Sequence, residues 1–284
     1  MRWKGRRQSS NIDDRRRLRL GRKAKGGGIG AIVIALVAMY FGVDPSVVLN
    51  LTQGLQGPAE STSSKPLSAQ EKQMGEFVSV VLADTEDAWH GLFKGMNRSY
   101  KEPTLVMFSG SVKSACGFAQ AAMGPFYCPS DHKVYIDLSF YRDLKLRHKA
   151  PGDFAQAYVI AHEVGHHVQT LLGISTKVHQ AKRKVSKAEG NKLSVMQELQ
   201  ADCFAGVWAN RTERAKRFIE QGDIEEALNA ASAIGDDRLQ KQSRGYVTPE
   251  SFTHGSSKQR MRWFRLGLEQ GSIAQCNTFK ARSL

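Results

Sequence analysis

Three regimes of hydrophobic patterning divide the chain. From Ile29 to Phe41 no charged side chain occurs, and the wider uncharged run covers residues 26–43. As a helix that run would be about 27 Å long, the short end of a membrane span. Residues 44–66 then turn polar and rich in turn formers, with Gly54, Gly57, Pro58, Ser63, Ser64 and Pro66, and they read as a flexible tether. From residue 67 onward the apolar positions take the period of packed secondary structure.

Phe77, Val80, Val81, Ala88, Trp89, Leu92 and Phe93 recur at helical spacing over 73–96, with an interruption expected near Asp84. Thr104 to Phe108 is an apolar run of strand length. Residues 125–128 and 133–138, joined by Ser130, Asp131 and His132, predict a hairpin with Val134, Ile136 and Leu138 on its core face. A third segment carries Phe154, Ala157, Tyr158, Ile160, Ala161, Val164, Val168 and Leu171, wide enough for a buried helix. Asp153 and Gln156 stand at capping-box spacing before it, and Gly173 ends it. Further helices are predicted over 193–208, from an Asp223–Glu226 cap through Ile234, and around Met261, Phe264 and Leu268. The expected fold class is α+β: a mainly helical domain at 67–284 with a small β-sheet, preceded by one transmembrane helix.

Charge refines the N-terminal picture. Of the net +14, residues 1–25 contribute +9 from 11 Lys/Arg against Asp13 and Asp14, which leaves +5 for the other 259 residues. No Lys/Arg patch interleaved with aromatics marks a nucleic-acid groove, so no nucleic-acid partner is expected. The basic end predicts a cytoplasmic segment 1–25, a single-pass anchor 26–43, a linker 44–66 and an exported domain 67–284. Removing residues 1–25 would then change topology and leave the exported domain's activity intact.

The chemistry concentrates in two predicted helices. His162 and His166 are separated by one helical turn and project from one face, where two imidazoles can grip a metal ion, with Glu163 one step round. That is the H-E-x-x-H pattern of zincins, in which the Glu takes a proton from an activated water. Glu198 and Asp202 are again one turn apart; Glu198 is assigned as the third ligand and Asp202 as the carboxylate that orients a ligating imidazole. His167, His179 and His254 are the alternative ligands. Gly165, mid-helix, implies close approach by another element. His254, in the loop 251–257 with Arg260 further along, is the candidate donor to a developing oxyanion. The strand from Lys133 to Tyr141 is a candidate to pair with extended substrate. Four cysteines in an exported domain favour disulfides, with Cys116–Cys128 bracing the strands and Cys203–Cys276 tying the second metal helix to the C-terminal tail.

The run His162-Glu163-Val164-Gly165-His166-His167, followed by Glu198-Leu199-Gln200-Ala201-Asp202-Cys203, closely resembles the YpfJ-type family of bacterial neutral zinc metallopeptidases. Further matching stretches include Met1-Arg2-Trp3, Gly124 to Pro129, Ser251 to Ser256 and Cys276-Asn277-Thr278-Phe279. The resemblance implies a single-pass bacterial membrane protein with a zincin domain, and the charge bias places its anchor in the cytoplasmic membrane with the domain on the periplasmic side. It also implies zinc held by His162, His166 and Glu198 with Glu163 catalytic; one Zn2+ and a peptide or protein substrate are expected. The expected function is therefore zinc-dependent peptide-bond hydrolysis. The competing reading is a non-catalytic envelope scaffold whose structural zinc requires a fourth protein ligand, such as His254.

Overall fold

The computed structural model describes residues 1–17 and 66–284; the expected anchor 26–43 and nearly all of the expected linker lie outside them. Six strands and eight helices follow in chain order among the described residues, together with short 3-10 turns. The strands are β1 (Ile12–Asp14), β2 (Thr104–Phe108), β3 (Ser111–Ser114), β4 (Gly117–Gln120), β5 (Phe126–Cys128) and β6 (Lys133–Asp137). The helices are α1 (Ala69–Gly95), α2 (Ser139–Leu146), α3 (Asp153–Leu171), α4 (Ile174–Lys182), α5 (Lys187–Lys216), α6 (Asp223–Ala233), α7 (Asp236–Arg244) and α8 (Ser257–Gln270). The α+β, mainly helical expectation holds; among the described residues no helix is long and apolar enough to cross a membrane.

β1, β2, β6 and β5 lie side by side, parallel except for the antiparallel β5–β6 pair, while β3 and β4 form a separate hairpin. The predicted strand at 104–108 and the predicted hairpin are thus both present. The expected role of the Lys133–Tyr141 stretch is not borne out. β6 is bonded to β2 on one side and β5 on the other, and Ser139 onward is helical, so its ladder has no open edge for a substrate strand.

β1 carries residues 1–15 of the expected separate segment into the domain. Residues 1–15 fold with 67–284 as one unit. Ile12, Asp13 and Asp14 stand in register with Leu105, Val106 and Met107 of β2. Met1 is buried, the Trp3 ring meets Phe77 edge-on at 5.4 Å, and the Met1 amino group donates to Asp153 at 2.7 Å. The basic residues here are structural ion-pair partners: Arg6 donates to buried Asp84 at 2.6 Å and Arg7 to buried Glu86 at 3.0 Å.

Those pairs also explain why α1 runs unbroken through Asp84, where an interruption was expected. Arg6 and Lys216, at 2.6 and 2.8 Å, neutralise the Asp84 carboxylate, so the helix can bury it among Val81, Leu82 and Trp89. Two expected caps are replaced by longer-range partners. The residue before α3 is Gly152, Asp153 is drawn off by the Met1 amine, and the Phe154 N–H donates to Glu226 of α6 at 3.0 Å. At α6, Asp223 likewise accepts from the Met1 amine, at 3.2 Å, and from the Glu220 backbone, at 2.7 Å. Gly173 does end α3, with φ +74°.

The core forms where α3, α5 and α8 pack on one another. A Cβ at Gly165 would sit 3.0 Å from the Ala201 carbonyl, so the glycine lets α3 and α5 close together, as its mid-helix position implied. Gly206 of α5 and Gly267 of α8 face each other's backbones, and a Cβ on either would collide with Phe264 O or Cys203 O. Both expected disulfides are present, Cys116–Cys128 across the strand region and Cys203–Cys276 from α5 to the C-terminal tail.

Candidate metal centre

The close α3–α5 contact brings the two motif pairs together. His162 Nε2 lies 3.2 Å from one Glu198 oxygen and His166 Nε2 lies 3.4 Å from the other. A tetrahedral zinc ion with ligands at about 2.0–2.1 Å sets neighbouring donor atoms about 3.3 Å apart, so each imidazole stands at a compatible distance from the Glu198 carboxylate. Three residues make up the cluster, and among the described residues no fourth protein ligand completes it. Glu163 is buried on the same helix and borders the same cavity.

Each ligand is held from behind. The His162 Nδ1 lies 2.8 Å from Asp202 Oδ1, which fixes a tautomer with Nε2 toward Glu198. Asp202 is completely buried and accepts two bonds from Arg260, Nε at 2.8 Å and Nη2 at 2.8 Å, plus the Tyr158 hydroxyl at 2.5 Å. Burial opposes the Asp202 charge, but Arg260 and His162 outweigh it and hold its pKa at about 2. Burial likewise opposes a charged His162, yet Asp202 and Glu198 raise its pKa to about 10. Glu198 is driven well below the usual carboxylate range: burial works against its charge, and His166 and His162 prevail. The pocket is therefore built to keep its carboxylates ionised.

His166 has a support that sequence reasoning missed. Its Nδ1 lies 2.9 Å from Gln169 Oε1; the Gln169 amide donates to Gln200 Oε1 at 3.1 Å, and Gln200 donates to the Cys276 carbonyl at 2.9 Å. The Cys203–Cys276 disulfide thus anchors the far end of a relay that orients a ligand. Nothing in the sequence marks Gln169 for this role; its burial and its partners are visible only in the fold.

The contact of Asp202 with His162 predicts a measurable result. Asp202→Asn removes the charge facing Arg260 and weakens the orientation of His162, so zinc affinity should fall about 10- to 100-fold in a chelator competition. Unchanged affinity would mean that Asp202 only packs the core.

The other histidines separate cleanly. His167 points toward the sheet, with Nε2 2.6 Å from the Lys101 carbonyl and Nδ1 3.1 Å from the Tyr127 hydroxyl, and burial lowers its pKa to about 4. His179 is exposed on α4. His254 borders the same cavity as His162, Glu163 and His166. Its placement depends on Asp236, also missed in the sequence. Asp236 Oδ2 accepts the backbone N–H groups of Thr253, His254 and Gly255 at 2.7, 2.6 and 3.0 Å, and Oδ1 lies 3.3 Å from His254 Nδ1. That contact raises the His254 pKa. Arg260, expected in the same region, is instead committed to Asp202.

The cavity measures about 610 Å3 and extends from the histidines to Phe126 and Tyr127 of β5, Met123 and Phe140. β5 is the outer strand of the four-stranded sheet, so its far edge carries no ladder partner within that sheet.

The sequence model of the family described as "Putative neutral zinc metallopeptidase" matches residues 1–279. The chain belongs to this family. Among relatives in the zinc metallopeptidase family, "Uncharacterized protein YpfJ" of Escherichia coli (strain K12) is 52% identical over 98% of this chain and 99% of its own length. "Uncharacterized protein Rv2575" of Mycobacterium tuberculosis (strain ATCC 25618 / H37Rv) is 39% identical over 87% of this chain and 86% of its own. No solved structure matches the chain. The family match begins at residue 1, so it takes in the arm that supplies β1 as well as the metal helices.

Proposed function

We propose that this chain is a zinc-dependent peptidase, with His162, His166 and Glu198 holding one zinc ion and Glu163 acting as the general base. The observation that carries the reading is the 3.2 and 3.4 Å spacing of the two imidazoles from Glu198, over a cavity that Glu163 also borders. When bound there, zinc supplies Lewis acidity toward a peptide carbonyl and an attacking water. Glu163 accepts the proton of that water and delivers it to the departing amine. His254, oriented by Asp236, donates from Nε2 to the oxygen that gains charge during attack. Asp202, Tyr158 and Arg260 hold His162 in one tautomer, and Gln169 does the same for His166.

An extended peptide is the substrate that this shape fits. The open edge of β5 offers backbone donors and acceptors for strand addition, and the cavity beside it takes side chains against Phe126, Tyr127 and Met123.

The test is a comparison of new peptide N-termini in cells carrying the wild-type chain or Glu163→Gln. A set of cleavages present only with the wild type is expected. Identical sets from both strains would overturn the peptidase reading.

A further inference from the structure

The N-terminal arm contradicts the topology expected from charge and hydropathy, and it does so independently of the metal site. That topology places residues 1–25 and 67–284 on opposite sides of a bilayer whose hydrocarbon core is about 30 Å thick. In the fold, the two are joined by direct hydrogen bonds. Leu105 N donates to Asn11 O at 2.8 Å, Arg15 N to Met107 O at 2.7 Å, Arg2 N to Phe218 O at 2.8 Å and Ser9 N to Ser79 O at 3.0 Å.

Buried charge makes the attachment compulsory. Glu86 of α1 is 4% exposed, and its hydrogen bonds come from Arg7 at 3.0 Å, the Ser9 hydroxyl at 2.5 Å and Asn11 at 2.9 Å, all within the arm. Without the arm this carboxylate would lie in the domain with none of those donors, a state that folded proteins avoid. The β2 edge would also lose its parallel partner.

We infer that Met1–Arg15 and Leu67–Leu284 occupy one compartment, so that the chain meets a membrane from one face only. The chain leaves the domain after β1 and rejoins it at α1, so both ends of the intervening segment belong to one folded unit. A single crossing of the bilayer between them is excluded, because it would separate β1 from β2. Of the basic residues in the arm, Arg6 and Arg7 are engaged with carboxylates of α1 at 2.6 and 3.0 Å, which ties the arm to the domain.

Single cysteines introduced into the full chain in spheroplasts test this. Lys4→Cys and Gln8→Cys report on the arm, and Lys187→Cys on the domain; all three positions are exposed and outside the cavity. Each is treated with a membrane-impermeant maleimide before and after permeabilisation. One pattern shared by arm and domain is expected, whether both label at once or both only after permeabilisation. Labelling of one before permeabilisation and of the other only afterwards would overturn the inference.

Discussion

Glu163→Gln should leave the metal bound and lower peptide hydrolysis about 100- to 10,000-fold, the usual contribution of a general base. Glutamine keeps the volume and the helix, and it cannot accept the proton. Because Glu163 lies outside the His162–His166–Glu198 cluster, zinc content should stay at the wild-type level. The measurement is kcat on a peptide that the wild-type chain cleaves, with zinc measured on the same preparation. A variant that cleaves at the wild-type rate would remove Glu163 from the mechanism, and one that loses zinc would make it a ligand.

Deleting residues 1–15 should destabilise the domain by about 3–5 kcal/mol, a large part of a typical domain's stability. The main cost is the loss of the bonds that Arg7, Ser9 and Asn11 make to Glu86 and that Arg6 makes to Asp84, with the loss of the β1 ladder adding to it. Urea unfolding reads the effect as a lower midpoint, and Glu86→Gln in the deleted chain should recover part of it by removing the charge. An unchanged midpoint would mean that the arm is a passenger. This outcome is the reverse of the sequence expectation that residues 1–25 can be removed without harm.

The contrast identifies which features were legible. His162, His166, Glu198 and Asp202 could be read because their chemistry is encoded at the i, i+4 spacing of two helices, a purely local relation. The hairpin of β5 and β6, the close approach at Gly165 and the Cys116–Cys128 pair were also local enough in pattern to be anticipated, and with that pair formed Cys203 and Cys276 were left for each other. The charged partners at long range were not legible. Arg6 and Arg7 gave no sign of their bonds to Asp84 and Glu86, which lie far along the sequence. Asp153 and Asp223 looked like helix caps because nothing local announced that the Met1 amine would claim them. Asp236 and Gln169 carry no motif at all; their roles arise only once His254 and His166 are placed in space.

Zinc content per chain of the purified full-length protein, read by elemental mass spectrometry beside His162→Ala and His166→Ala, decides whether His162, His166 and Glu198 form a zinc site. About one zinc per wild-type chain is expected, with its loss from both variants. A wild-type chain isolated without zinc, and unable to take it up, would rule the site out, as would zinc retained in full after either histidine is removed.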